Sequence, residues 1–203
     1  MILIKNGRVL DPKSGMDETI DILIDEGKIA GLGKYKRSNE YERVIEAEGK
    51  IVAPGLIDVH VHFRDPGLTH KEDIESGALA AAAGGFTTVV CMANTKPAAD
   101  NCETLEYILE KGKQTGIHVL SVAAVTKGMQ GKELTDFQEL KAAGAAGLSD
   151  DGIPVKDSRL MFEAMIKAKE AELPISLHEE DPGLNGILGF NENIAKEHFH
   201  ICG

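Results

Sequence analysis

The segment Asp58-Val59-His60-Val61-His62 places two imidazoles two residues apart within an apolar run. On a β-strand, residues i and i+2 project from one face, so both rings point the same way. Two nitrogen donors held in that manner suit Zn²⁺, which in open catalytic sites takes nitrogen and carboxylate ligands. Alone, an HxH pair is equally compatible with surface or core histidines. Further along, Ser149-Asp150-Asp151-Gly152 offers carboxylates, and Leu177-His178-Glu179 offers another imidazole. A carboxylate placed between two metal ions can bridge them, and paired ions polarise a carbonyl and acidify water. By itself the SDDG segment also describes a turn with helix-capping acids, and its spacing does not choose between Asp150 and Asp151. Directly after the histidine pair, Phe63-Arg64-Asp65-Pro66-Gly67 supplies a guanidinium. Arginine can hold a carboxylate with two parallel hydrogen bonds; the competing reading is a salt bridge from Arg64 to Asp65. Asn94, in Met92-Ala93-Asn94-Thr95, can donate to the same carboxylate or cap a turn.

These groups act together only if the fold gathers them. Residues 1–53 read as short strands: MILIKNGRVL and DILIDEGKIAGLG are rich in β-branched residues, with turn signals at Asp11-Pro12, Gly15 and Glu26-Gly27. A small antiparallel β unit, part of a small β-sandwich, is expected there, with Lys34–Glu42 as a solvent loop. From Pro54 the rhythm changes. Apolar runs (GLIDVHVH, FTTVVCM, IHVLSVAAV, AAGLSD, LPISLHE) alternate with helical patterns in HKEDIESGALAAAAGG, CETLEYILEKGKQTG, TDFQELKAAG and DSRLMFEAMIKAKEAE. Asp136 and Asp157 suit helix starts, and Gly84-Gly85 and Gly116 suit helix ends.

A βα unit recurring roughly every thirty residues predicts parallel strands with right-handed crossovers. Two architectures satisfy that, a doubly wound sheet and a (β/α)₈ barrel. The polar residues choose between them: in a barrel all strand C-termini converge on one mouth, so groups far apart in sequence meet. No GxGxxG or GxxxxGK[ST] follows any strand, so a nucleotide-binding sheet has no support. The expected class is α/β: a partial (β/α)₈ TIM-type barrel over residues 54–203, holding about five of eight strands, preceded by the β segment 1–53. A whole barrel takes about 250 residues, and Ile187–Gly203 offers no closing strand, so the barrel is expected to be truncated.

Composition excludes several classes. The 203 residues carry a formal net charge of −11, which argues against nucleic acid or an anionic membrane as partner. Twenty-two glycines and no tryptophan favour close helix-on-sheet packing over a large aromatic core. Cys91, Cys102 and Cys202 form no CxxC, and no apolar run approaches the ~20 residues of a membrane span. Free thiols in a cytoplasmic protein are expected. His118 opens the third barrel strand, at the barrel's bottom, where stability is the usual reading. His70 falls in a loop or helix start, and His198 and His200, though spaced HxH, follow a helical pattern.

HVHFRDPG, GGFTTVVCMANT, GLSDDG and LHEE, in this order and spacing, resemble the dihydroorotases of the long, bacterial type within the amidohydrolase superfamily. The resemblance runs from Met1 to Gly203 and is taken to cover the N-terminal half of such an enzyme. Hydantoinases and allantoinases share the architecture but typically carry a lysine near the fourth strand's end, where this chain has SDDG. The resemblance implies zinc, one or two ions, held by His60, His62, Asp151 and His178, with Asp151 bridging if there are two. It implies that His62, Arg64 and Asn94 meet the substrate. It implies reversible hydrolysis of L-dihydroorotate to N-carbamoyl-L-aspartate in de novo pyrimidine (UMP) synthesis, with a sixth-strand histidine and an eighth-strand catalytic aspartate lying beyond Gly203, so that these residues alone are expected to be inactive. A homodimer or association with aspartate carbamoyltransferase is a further implication. The alternatives are a hydantoinase- or allantoinase-like ring hydrolase, and a non-catalytic scaffold for aspartate carbamoyltransferase.

Overall fold

Five strands build the first of two units, Met1–Gly55, in the computed structural model, which describes residues 1–38, 40–178, 180 and 197. They are β1 (Ile2–Asp11), β2 (Met16–Asp25), β3 (Lys28–Gly33), β4 (Arg43–Glu46) and β5 (Ile51–Val52). Asp11 closes the first hairpin, its carboxylate accepting from Lys13 N at 3.0 Å and from the Ser14 hydroxyl at 2.6 Å. Glu26 and Gly27, both at positive φ, turn β2 into β3, as a two-residue hairpin loop requires. Those pairings are antiparallel, as the turn signals predict. β4 and β5, however, pair with β1 in parallel, so the sheet is mixed rather than antiparallel throughout. Leu3, Val9, Ile22 and Ala47 are its buried apolar residues.

The second unit, Leu56–Gly203, alternates strands with helices. β6 (Leu56–Val61), β7 (Phe86–Cys91) and β8 (His118–Ser121) are parallel neighbours in chain order. The progression continues beyond them: Leu148 bridges in parallel to Ala123 on one side and to Ile175 on the other. Strand order that follows chain order without reversal is the barrel pattern, whereas a doubly wound sheet reverses at its switch point. The fourth and fifth positions are single bridges rather than full ladders. The pairing of β6 with β7 is irregular between Asp58 and Val61, which oppose Val89 and Cys91, so β6 carries an extra residue there. His62 lies just past the end of β6.

Among the described residues four α-helices flank the strands: α1 (Ile74–Ala83), α2 (Cys102–Gly112), α3 (Phe137–Ala142) and α4 (Ser158–Glu170). Each begins at an Asp or Asn whose side chain accepts amide hydrogens of the first turn: Asp73, Asn101, Asp136 and Asp157. Gly84 caps the end of α1 and Gly85, at φ +85°, carries the chain out in the left-handed region. Gly116 is not a cap: α2 ends at Lys113 in ordinary right-handed geometry. Two apolar clusters fill the unit. One joins Phe63, Ile74 and Ala78 to Val89, Cys91 and Ile108; the other joins Leu105, Phe137, Leu140 and Leu148 to Ala164 and Ala168. Alanine and glycine at these contacts let helices lie close to the strands. At Gly77 an added Cβ would stand 2.4 Å from the Phe63 ring.

Candidate metal and substrate site

The strand ends of the second unit gather most of the chemically useful side chains. His60 projects from the irregular part of β6, and its Nε2 lies 3.3 Å from His62 Nε2. Asp151, in the turn after the fourth strand position, directs Oδ2 at both rings, 3.4 Å from His60 Nε2 and 3.5 Å from His62 Nε2. These three donor atoms form a group within 4.8 Å of one another. Ligands 2.0–2.1 Å from a tetrahedral zinc stand about 3.4 Å apart, so the three separations match those required. Two imidazoles and a carboxylate are also the donor chemistry zinc accepts. The residues therefore fit the metal.

Asp150 and Asp151 differ sharply although adjacent. Asp150 turns inward, accepting from Val125 N at 2.8 Å, Thr126 N at 3.2 Å and the Thr126 hydroxyl. Burial pushes its carboxyl above the ordinary carboxylate range, against the pull of those hydrogen bonds. Asp151, 7% exposed, is the one at the cluster. Its second oxygen, Oδ1, lies 3.2 Å from His178 Nδ1. His178 thus joins the group through Asp151 and is not among the three donors that converge. Its Nε2 contacts Glu180 Oε2 at 2.5 Å, and the two carboxylates, Glu180 first, raise its pKa.

Around this cluster lie the predicted substrate contacts. Asn94 places its amide 3.0–3.1 Å from His62 Nδ1 and 3.5 Å from Asp151 Oδ2. Arg64 Nη1 donates to the Asn94 carbonyl at 3.3 Å. Arg64 does not pair with Asp65, and among the described residues no carboxylate forms an ion pair with it. Asp65 is 2% exposed and is held instead by Lys111 Nζ at 2.6 Å and Tyr107 Oη at 3.1 Å. Those two residues went unread in the sequence. Their only signal was a tyrosine and a lysine four apart, hence on one face, of a helix that otherwise faces solvent or core.

Other candidates fall elsewhere. His118 stands at the opposite end of β8, lining a cavity of about 850 Å³ with Gly116 and Leu120, where no such donor set gathers among the described residues. His70 lies in the turn before α1. His198, His200, Cys202 and all of Ile187–Gly203 except Glu197 lie outside the described residues. Cys91 is buried, which pushes its thiol up to about 12, and Cys102 is a free thiol.

A family model described as dihydro-orotase-like matches residues 49–198. A dihydroorotase of Streptococcus pneumoniae is 60% identical over 203 residues, covering 100% of this chain and 48% of that protein. A dihydroorotase of Clostridioides difficile is 62% identical over 198 residues, 97% of this chain and 47% of that protein. The chain thus spans about half the length of the curated relatives it matches. Among solved structures, the L-hydantoinase of Arthrobacter aurescens superimposes with a TM-score of 0.77 at 24% identity, covering 90% of this chain and 41% of that one. A crystal structure of a dihydroorotase gives 0.64 at 17% identity, over 90% of this chain and 52% of that one. At such identities the structural likeness speaks to the barrel fold alone.

Proposed function

The chain belongs to the dihydro-orotase-like family, and from that premise we propose that its protein is a zinc-dependent cyclic amidohydrolase, a dihydroorotase that reversibly hydrolyses L-dihydroorotate to N-carbamoyl-L-aspartate. One observation carries the reading: Nε2 of His60, Nε2 of His62 and Oδ2 of Asp151 stand 3.3–3.5 Å apart with Arg64 and Asn94 beside them. His60 and His62 would hold the metal through their Nε2 atoms. Asp151 adds a negative charge and, with two oxygens turned to different histidines, suits a bridging role toward a second ion on His178. Bound there, zinc supplies Lewis acidity, polarising an amide carbonyl and acidifying water.

The rest of the chemistry falls to side chains. Arg64 takes the substrate carboxylate, converting binding energy into alignment of the ring amide with the metal site. Asn94 contacts the same carboxylate and, through His62 Nδ1, fixes the ring's tautomer and orientation, as groups behind metal-bound histidines do. Proton transfer is assigned, by family resemblance, to an aspartate in strands after residue 203. A hydantoinase-like activity has support only from the barrel likeness, and Ser149-Asp150-Asp151 offers no lysine at the fourth strand's end. A non-catalytic scaffold would have no need to keep three convergent donors. The proposal extends to the division into a β-sandwich segment (1–53) and a barrel part (54–203), to a cytoplasmic location, and to a homodimer or an assembly with aspartate carbamoyltransferase. Among the described residues no helix is long and apolar enough to cross a membrane.

The test is turnover of L-dihydroorotate, hydantoin and allantoin by the full-length purified protein, with metal content measured beside it. Ring opening of L-dihydroorotate that is lost on chelation and restored by zinc is expected. Preference for hydantoin or allantoin, or turnover indifferent to metal, overturns the assignment.

A further inference from the structure

We infer that Tyr107 and Lys111, on the surface of α2, are positioning residues for carboxylate recognition: by clamping the buried Asp65 they fix the backbone from which Arg64 reaches the site. The inference rests on the proposed role of Arg64.

Arg64 sits at φ +60°, a left-handed conformation that a side chain longer than glycine adopts only where its surroundings over-determine it. Two attachments supply that constraint. On one side Asp65 turns away from Arg64 and into α2, where Lys111 Nζ and Tyr107 Oη donate to its two oxygens and Ile74 N approaches at 3.4 Å. On the other side Lys96 N donates to the Pro66 carbonyl at 3.0 Å, and Gly67 packs so closely that a Cβ would stand 1.8 Å from Lys96 O. The Arg64 peptide is therefore fastened to α2 and to the segment that carries Asn94. Adjacent residues so fastened leave the guanidinium little freedom beyond its own torsions.

Stability alone does not explain a carboxylate in that place. Asp65 is buried while Lys111 remains partly exposed, and a pair of that kind adds little net stability over an apolar side chain of similar size. What it adds is direction, because the ammonium and phenol fix where the carboxylate stands. The bond to Asp65 raises the Lys111 pKa further, so the ammonium stays charged through any neutral assay. The positions also separate two tasks. Tyr107 and Lys111 touch neither the imidazoles nor Asp151, so loosening them moves Arg64 and leaves the donor trio in place.

The experiment uses the full-length protein loaded with zinc. Tyr107→Phe deletes one hydrogen bond, Lys111→Ala removes the charge, and Lys111→Arg keeps it. Should Lys111→Ala fail to fold because Asp65 is left buried and unpaired, the double variant Asp65→Asn, Lys111→Met removes both charges together. A lost charge-assisted hydrogen bond of this kind corresponds to about a tenfold effect. The KM for L-dihydroorotate is expected to rise about tenfold with kcat within about twofold, and Lys111→Arg to recover most of it. The kcat/KM for 5,6-dihydrouracil, the same ring without the carboxylate, should not move. Amide exchange across residues 64–68 should accelerate in the same variants. Unchanged KM, equal losses on both substrates, or unchanged exchange would each overturn the inference. If the unaltered protein leaves L-dihydroorotate untouched, the proposed function falls while amide exchange still decides whether the clamp exists.

Discussion

Replacing Gly67 by alanine tests whether the Arg64 segment and the Asn94 segment are locked together. Gly67 has φ +86°, and an added Cβ would fall 1.8 Å from the Lys96 carbonyl oxygen, where ordinary contact begins near 3.4 Å. The obstacle is backbone, so the two segments must part by more than an ångström. A non-glycine residue at this φ costs about 1–2 kcal/mol, and forcing atoms into a filled space about 1–3 kcal/mol more. Gly85 provides the matched control, with φ +85° and nothing within 4 Å of its Cβ position. Gly85→Ala therefore carries only the conformational cost, and Gly67→Ala should exceed it by about 1–3 kcal/mol. Function should suffer more than stability, because a misplacement of about 1 Å near the reacting atoms can cost about 10²-fold in rate. Urea denaturation of both variants measures the first difference, and kcat/KM for L-dihydroorotate the second. Equal midpoints for the two alanine variants, or a Gly67→Ala protein with unaltered kcat/KM, would refute the reasoning.

Four further outcomes are expected. Asp151→Asn should lose metal by elemental analysis with little change in denaturation midpoint when both proteins are compared free of metal, whereas Asp150→Ala should keep the metal and lose about 1–3 kcal/mol, because Val125 N and Thr126 N are left without an acceptor. Added zinc should raise Tm, by about 2.7 kcal/mol in stability at a hundredfold excess over Kd, and the rise should vanish in the double variant His60→Ala, His62→Ala. Asp73 accepts the Ser76 amide, and that bond holds its carboxyl below the usual range, so its stabilisation is present above its unfolded pKa and fades as pH falls through the lowered folded value. Asp73→Asn should accordingly flatten the loss of Tm below about pH 4. Finally, among the described residues β6 has one neighbour, β7, so the 203-residue polypeptide assayed alone should open L-dihydroorotate far more slowly than the full-length protein; equal rates would contradict that.

Much of the architecture was legible because its causes are local. Asp136 and Asp157 begin helices for the reason a sequence shows, a short acceptor before an apolar period. The βα rhythm gave parallel strands in chain order. What was not legible depends on contacts distant in sequence. β4 and β5 are two- to four-residue strands that join β1 in parallel, a pairing no turn residue announces. Gly116 looked like a helix end, but α2 stops at Lys113 and Gly116 has no left-handed turn to make. The spacing of SDDG could not distinguish its two aspartates. Thr126 and the Val125 amide capture the first, and only a fold that brings residues 125 and 150 together can do so. Adjacency left a salt bridge from Arg64 to Asp65 open as the competing reading, yet Arg64 stands at left-handed φ and Asp65 is held by Lys111 and Tyr107 instead.

The extra residue in β6 between Asp58 and Val61 has a consequence for how this strand tolerates change. Side chains two apart on a regular strand start about 6.6 Å from each other, yet the two Nε2 atoms end 3.3 Å apart. A bulge re-aims side chains by interrupting the ladder, and here the interruption falls on His60 itself. Deleting one residue from that stretch would restore one-to-one pairing of β6 with β7 there, leaving the separate shift between Leu56 and Ile57, and would favour the strand locally. It would also swing one imidazole off the shared face. Stability and chemistry thus select opposite residue counts at this position, and a screen for thermal resilience alone would discard the histidine pair.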